Sequence, residues 1–267
     1  MPVSDLAPAI EDRGLEVLLF PEHTHIPSSR RTPWPSGEPL PPEYWHSHDP
    51  FVACTMAAAR TERLKVGTGI CLLAQRDPIV TAKEIASIDQ MSGGRFLFGI
   101  GGGWNVEEVE HHGTPFTQRF QVLRERVLAM KRIWTQDVAE YHGEFVNFDP
   151  LWSWPKPLQQ PHPPILVGGN GPHTLRRVVD YGDAWMPVVG REGPPFEPRI
   201  ADLQRLAAEA GRDPIPVIAF GAPQDPRVLE TYAGQGVVGA IFHLPSGGPD
   251  DVLPRLDRFA EIARDLR

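Results

Sequence analysis

The sequence predicts an α/β fold of the (β/α)8 or TIM-barrel type, and three observations carry that prediction. Short apolar runs rich in β-branched residues alternate with segments of helical period along the whole chain. The strand-then-helix unit recurs seven times, and nearly all-apolar strands separated by helices indicate a parallel sheet covered on both faces. The length, 267 residues, suits a barrel better than an open sheet of five or six strands.

The elements follow in order. Residues 3–13 read as a helix, with Ser4 as its N-cap and Gly14 just past its end. Residues 15–20 (LEVLLF) read as a strand, 51–60 as a helix and 64–70 (LKVGTGI) as the next strand. Residues 79–90 place apolar side chains at three- and four-residue spacing, the mark of an amphipathic helix. Residues 95–100 (RFLFGI) form a strand. Residues 117–134 form the longest helix, with Phe120, Leu123, Val127, Met130 and Trp134 on one face. A Trp/Pro-rich insertion covers 136–163. Strands at 165–168, 184–189, 215–220 and 238–243 then alternate with helices at 172–181, 197–210, 226–233 and 250–266. The whole reads as a single domain over residues 1–267. No strand precedes residue 15, so the barrel is expected to lack its first strand and to leave the 15–20 strand at an edge. A start placed too late is the favoured explanation, because an unpaired parallel edge is a liability.

Composition narrows the function. The apolar and charged fractions, 41% and 22%, are those of a globular protein. The net charge of −8 and the lack of a basic stripe argue against nucleic acid as a partner. No apolar run is long enough to span a membrane, and the first residues carry acids where a signal peptide needs basic and apolar ones. A cytoplasmic setting follows as the expectation. Cys54 and Cys71 fit no zinc or CxxC spacing and read as buried, reduced thiols.

In a TIM barrel the chemistry sits at the C-terminal ends of the strands. The segment Gly168-Gly169-Asn170-Gly171-Pro172 has the character of an anion site. Glycines let backbone N–H groups approach a phosphate, and Pro172 suits a first helical turn. Gly101, Gly102 and Gly103 could likewise admit a ligand close to the backbone. They form neither a Rossmann nor a Walker motif, since Trp104 stands at the third glycine position and no Lys-Ser/Thr follows. His23 and His25 end a strand. They suit either a metal pair, with only His243 in support, or a polar wall in which His23 moves a proton beside an organic cofactor. His46, His48, His111, His112, His142 and His162 read as solvated. Trp152 and Trp154 read as packing residues that could also wall a substrate pocket.

These residues also carry a resemblance. Residues 64–70, Asp77-Pro78, Ala82-Lys83-Glu84, the SGGR run ending at Arg95, residues 98–105, Lys156-Pro157, residues 163–170 and Gly182-Asp183-Ala184-Trp185 resemble the luciferase-like monooxygenase superfamily. Within it the chain looks most similar to deazaflavin-dependent oxidoreductases that use coenzyme F420; FMN-using members share most of these motifs. The resemblance implies a tricyclic ring lying across the strand ends. That ring is backed by a non-proline cis peptide at Gly69-Ile70, and the cofactor phosphate lies on Gly168, Gly169, Asn170 and Gly171. It also implies a catalytic role for His23, the position at which deazaflavin sugar-phosphate dehydrogenases carry a catalytic histidine. Those enzymes have a glutamate where Trp104 stands here, which argues against a sugar phosphate.

The leading expectation is therefore an oxidoreductase, with a monooxygenase as one variant of it. It transfers a hydride between F420 (alternatively FMN) and a small organic substrate, and works as a homodimer without a metal. A metal-dependent barrel hydrolase built on His23 and His25, and a non-catalytic paralogue, are the competing readings.

Overall fold

The structure, a computed structural model, describes residues 1–190 and 195–266. The elements run α1 (Val3–Asp12), β1 (Val17–Phe20), α2 (Pro50–Ala59), β2 (Lys65–Cys71), α3 (Pro78–Ser92), β3 (Phe96–Ile100), α4 (Val106–His111) and α5 (Arg119–Thr135). They continue β4 (Ala139–His142), β5 (Asn147–Leu151), β6 (Ile165–Gly168), α6 (Thr174–Tyr181), β7 (Ala184–Met186), α7 (Pro198–Glu209), β8 (Val217–Phe220), α8 (Pro226–Gly234), β9 (Val237–Ile241) and α9 (Pro249–Asp265). Seven strands share one sheet in the order β1-β2-β3-β6-β7-β8-β9. This is the TIM-type alternation read from the sequence, with β1 as an end strand. Among the described residues no helix is long and apolar enough to cross a membrane.

The chain divides into two compact units. One comprises Met1–Leu18, Met56–Val66 and Pro164–Arg267. In it β6, β7, β8 and β9 pair in parallel, with Val167 beside Trp185 and Ile218 beside Gly239. Ile165, Trp185, Val217 and Ala219 are fully buried, as strands covered on both faces require. Glu11, on α1, accepts hydrogen bonds from the backbone N–H groups of Glu62, Arg63 and Leu64 at 2.6–3.2 Å and so fixes the chain entering β2. Asp183 pairs with Ile165 through both its backbone and its carboxylate, which seats β7 against β6. Gly182 is required there, because a Cβ would lie 2.6 Å from a Val167 methyl.

The other unit comprises Leu19–Thr55 and Gly67–Pro163. Asp77 caps α3 by accepting from the Val80 N–H at 2.8 Å, Pro78 takes the first helical turn, and Gly93 ends the helix with φ +72°. Helix α5 buries Leu123, Val127, Met130 and Trp134, and the Trp134 indole N–H donates to Ala82 O at 3.0 Å. The insertion contains the β4–β5 hairpin. It is fastened to the scaffold by Gln159, which donates twice to the buried Asp89 carboxylate, and by Lys156, whose ammonium donates to Ile133 O and Gln136 O at the end of α5. A cation is favoured at that helix end. Much of the family-like motif is thus scaffold.

Several local expectations are corrected. Ser4 is not a cap: α1 starts at Val3 after Pro2, without a side-chain cap, and the Ser4 hydroxyl faces Asp5. Helix α6 begins at Thr174, so Pro172 precedes the helix instead of opening it. Trp152 and Trp154 do not pack inside; they are 81% and 56% exposed. His162 is buried beside Trp134 rather than solvated.

Gly67, in the middle of β2, allows a close backbone approach. A Cβ there would stand 2.2 Å from Leu97 O. Gly67→Ala is expected to destabilise the protein by about 1–3 kcal/mol, since backbone must move to admit the methyl group. Urea unfolding measures this, and a midpoint equal to wild type would contradict the contact.

Candidate active site

The chain leaving β1 begins Pro21-Glu22-His23-Thr24-His25. Glu22 is buried, accepts from the Leu72 N–H at 2.6 Å and receives the Arg76 guanidinium at 2.5 Å. Arg76 also pairs with Asp49 and reaches Glu84 at 3.5 Å, and its guanidinium lies 4.6 Å from the Phe51 ring centre. This network ties the β1 end to the end of β2. Burial works against the charge on Arg76, but Glu22 and Asp49 hold it firmly protonated. Burial pushes the Cys71 thiol well above its ordinary range, so it is no nucleophile.

His23 follows directly. Its Nδ1 lies 2.7 Å from Glu108 Oε2, with side chains 7% and 1% exposed. A carboxylate only accepts, so Nδ1–H donates and Nε2 is left to accept or deliver a proton. The other Glu108 oxygen, Oε1, is buried without a hydrogen-bond partner. Around His23 stand Tyr44, with ring centres 5.4 Å apart, and Trp104, edge-on at 5.9 Å. Trp34 touches both, at 4.5 Å from Tyr44 and 5.1 Å from Trp104. Three aromatic rings and one imidazole therefore form a single cluster. The three rings are only half-buried, and each keeps an apolar face for an organic ligand.

His25 does not join a metal set. Its Nε2 is 2.8 Å from His111 Nδ1, a hydrogen-bond distance, and the two rings stack. His112 meets Thr24 Oγ1 at 2.8 Å, and burial together with His25 holds its imidazole below the ordinary value. Among the described residues no group of three or more His, Cys, Asp or Glu could hold a metal ion.

The peptide bond Gly69-Ile70 is cis. Ile70 packs on Gly101, where a Cβ would come within 2.0 Å of its Cδ1. Gly102 lies against Phe120 in the same way, with a Cβ 2.5 Å from the ring, and Gly103 adopts φ +72°. The Gly101–Gly103 run thus has a packing reason: it makes room for Ile70 and Phe120. Ile70 itself is only half-buried and offers an apolar face.

The Gly168–Gly171 loop lies in the first unit, and its carbonyls are tied. The Trp185 indole N–H donates to Gly169 O at 2.9 Å. Arg199 donates to Asn170 O and, at 3.0 Å, to Gly171 O, and lies 5.4 Å from the Trp185 ring centre. In a trans peptide the next N–H points opposite to the carbonyl. The amides of Asn170 and Gly171 are therefore turned away from Trp185 and Arg199. A Cβ at Gly169 or Gly171 would meet only Thr174 Oγ1, at 3.9 and 3.6 Å, so open space faces this backbone. Gly169 has φ +107°, which L side chains rarely adopt. The Asn170 side chain is occupied: it donates to Val188 O and accepts from Val188 N, both at 2.8 Å. Asn170 can meet a ligand only through its backbone.

Glu107, Glu108, Arg199 and the Trp34–Tyr44 pair do not directly follow a strand, so the strand ends in the sequence do not point to them. One signal was available. Asn105 followed three residues later by Glu108 is a helix-start signature, and Asn105 does cap α4, accepting from the Glu108 N–H at 3.2 Å.

The luciferase-like monooxygenase family model matches residues 2–224. The chain belongs to the luciferase-like monooxygenase family. Among its relatives is the uncharacterized protein Rv0953c of Mycobacterium tuberculosis, 38% identical over 255 residues, with 94% of this chain and 89% of that one covered. The FMNH(2)-dependent dimethylsulfone monooxygenase of Pseudomonas putida is 32% identical over 169 residues, covering 62% of this chain and 46% of that protein. Two solved structures share the luciferase-like fold. Monooxygenase RslO1 from Streptomyces bottropensis superposes with a TM-score of 0.80 at 19% identity, covering 98% of this chain and 92% of that one. An F420-dependent secondary alcohol dehydrogenase in complex with an F420-acetone adduct has a TM-score of 0.78 at 17% identity, covering 99% and 94%.

Beside the His23 pair, Glu107 is also buried. It accepts from Ser29 Oγ at 3.1 Å, from the Thr32 N–H at 3.2 Å and from the Thr32 hydroxyl. Burial alone would raise its carboxyl, but these hydrogen bonds, the Thr32 hydroxyl first, hold it down at about 2. A depressed carboxyl stabilises the fold above its ordinary value of 4.5, and that contribution is lost as pH falls through about 2. Glu107→Gln is expected to cost on the order of 1–3 kcal/mol above pH 4.5, with the gap to wild type closing between pH 4.5 and 2. Urea unfolding over a pH series checks this; a gap independent of pH would show that the charge is not what holds the loop.

Proposed function

We propose that this family member is an oxidoreductase that transfers a hydride between coenzyme F420 and a small organic substrate, with FMN as the alternative cofactor. The observation that carries the proposal is the buried His23–Glu108 pair at a strand end, inside a half-buried aromatic cluster. Oxidising an alcohol to a carbonyl removes a hydride from carbon, for which a bound cofactor would be the acceptor, and a proton from oxygen, which needs a base. A fixed imidazole with a proton-accepting Nε2 is suited to the second task. The cofactor, when bound, supplies the hydride chemistry.

Each of the two units holds residues suited to a part of such a group. The open, glycine-lined backbone at 169–171 suits a phosphate, with the amides of Asn170 and Gly171 as donors. Arg199 adds positive charge behind them. Ile70, held up by Gly101, suits one face of a planar ring. Glu108 acts through His23 by fixing its tautomer and orientation. Trp34, Tyr44 and Trp104 exclude water and orient the substrate. The preference for F420 draws on His23, which stands where the deazaflavin dehydrogenases that this chain resembles carry a catalytic histidine. We place the protein in the cytoplasm, in keeping with its two free, buried cysteines.

Two variants separate the roles. His23→Ala is expected to lower turnover about 10²–10⁴-fold with cofactor affinity unchanged, measured as reduction of F420 by a panel of small secondary alcohols. Gly169→Val is expected to weaken cofactor binding at least tenfold, because the new side chain blocks approach to the amides. Normal turnover in the first variant removes His23 from the chemistry, and normal affinity in the second removes the loop.

We further propose that the protein is a homodimer. Support comes from Val80 and Met91 on α3, 56% and 75% exposed, alongside exposed Trp154 and Leu158 on an insertion tied to α3 through Lys83 and Gln90. Light scattering is expected to give twice the 29.7 kDa chain mass, with Met91→Asp shifting the species toward monomer. A monomeric wild type would refute the assembly.

A further inference from the structure

Residues 27–32 form a short loop above the aromatic cluster, and all but one of its polar side chains from 29 to 32 are committed to Glu107. Ser29 and Thr32 donate to it, Arg31 Nε stands 3.4 Å from it, and Thr32 Oγ1 accepts in turn from the Val106 N–H at 3.2 Å. Arg30 alone turns elsewhere. Its N–H donates to Pro27 O at 3.2 Å, and its φ of +49° lies in the left-handed region that side chains with a Cβ seldom adopt. That backbone conformation sends the guanidinium to the Trp104 ring, 6.0 Å from its centre. There its Nη1 is buried with no hydrogen-bond partner. Arg30 is half-buried, but this one guanidinium N–H group is withdrawn from water and unpaired, which is costly, and it calls for an acceptor that arrives with a ligand. The same Trp104 ring packs against His23 and Trp34.

We infer that Arg30 is the specificity-determining residue of this pocket and anchors a carboxylate on the substrate, which is a small aromatic or planar organic acid. Charge balance selects a monoanion. Arg76 is matched by Glu22, Asp49 and Glu84, and Arg31 by Glu107, whereas Arg30 makes no ion pair among the described residues of this loop and its neighbours. The nearby Glu107 and Glu108 carboxylates would repel a second negative charge. The planar guanidinium fork suits a carboxylate, and Trp34, Tyr44 and Trp104 suit a flat body. The inference rests on the proposed function only in identifying this ligand as the molecule that reacts beside His23.

The test is calorimetric titration of the full chain with benzoate and phenylacetate, and with benzamide and phenylacetamide, in the presence and absence of oxidised F420. The acids are expected to bind at least tenfold more tightly than their amides. Arg30→Gln is expected to abolish that preference, Arg30→Lys to retain part of it, and both variants to bind F420 like wild type. Equal binding of acid and amide to wild type, or no binding of either acid, overturns the inference without recourse to any variant. So does an unchanged preference in Arg30→Gln. Loss of F420 affinity in Arg30→Gln with the acid preference intact would assign the guanidinium to the cofactor and also overturn it. Acid preference in a wild type that binds neither F420 nor FMN would uphold Arg30 and sink the proposed function instead.

Discussion

Two adjacent carboxylates on a six-residue helix organise the face on which the chemistry is proposed. Consecutive residues on a helix point about 100° apart, so Glu107 and Glu108 of α4 reach different targets. Glu108 takes His23 at 2.7 Å, and Glu107 takes the loop at 29–32. Buried carboxylates are tolerable only when hydrogen-bonded, and here their partners are drawn from the chain that leaves β1. One short helix thereby sets the orientation of the imidazole and the conformation of Arg30 at once. Asn105 starts that helix, and the Gly101–Gly103 run delivers it from β3.

The two glycine-rich segments look alike in sequence and differ in physics. Gly101 and Gly102 are small because Ile70 and Phe120 occupy the space that a side chain would fill. Gly169 and Gly171 face open space, and their carbonyls are held by Trp185 and Arg199. In the proposed site the first segment backs Ile70, and the second presents backbone donors. A glycine's neighbours, not its presence, decide which role it has.

The fold was legible because it rests on local periodicity. Strands such as 165–168 and helices such as α3 carry their signals in contiguous residues, down to Asp77, Pro78 and Gly93 at the helix ends. The cis Gly69-Ile70 bond was legible through family resemblance alone. The partners of His23 were not legible, because they lie far along the chain. Glu108 is 85 residues from His23, and nothing in the local pattern ties them. The side-chain surroundings of Asn170 and Trp152 were not legible for a related reason. A polar or aromatic residue in a loop looks the same whether it clips the backbone, as Asn170 does on Val188, or stands in solvent, as Trp152 does.

The central claim is that this chain binds a deazaflavin or flavin and uses it at the His23 face. Direct titration of the purified protein with F420 and with FMN, followed through quenching of tryptophan fluorescence and the cofactor's own absorbance, tests it most plainly. The account predicts saturable one-to-one binding of F420, tighter than that of FMN, with quenching abolished in a Trp34/Trp104 double phenylalanine variant that still binds. Saturation by neither cofactor would contradict it.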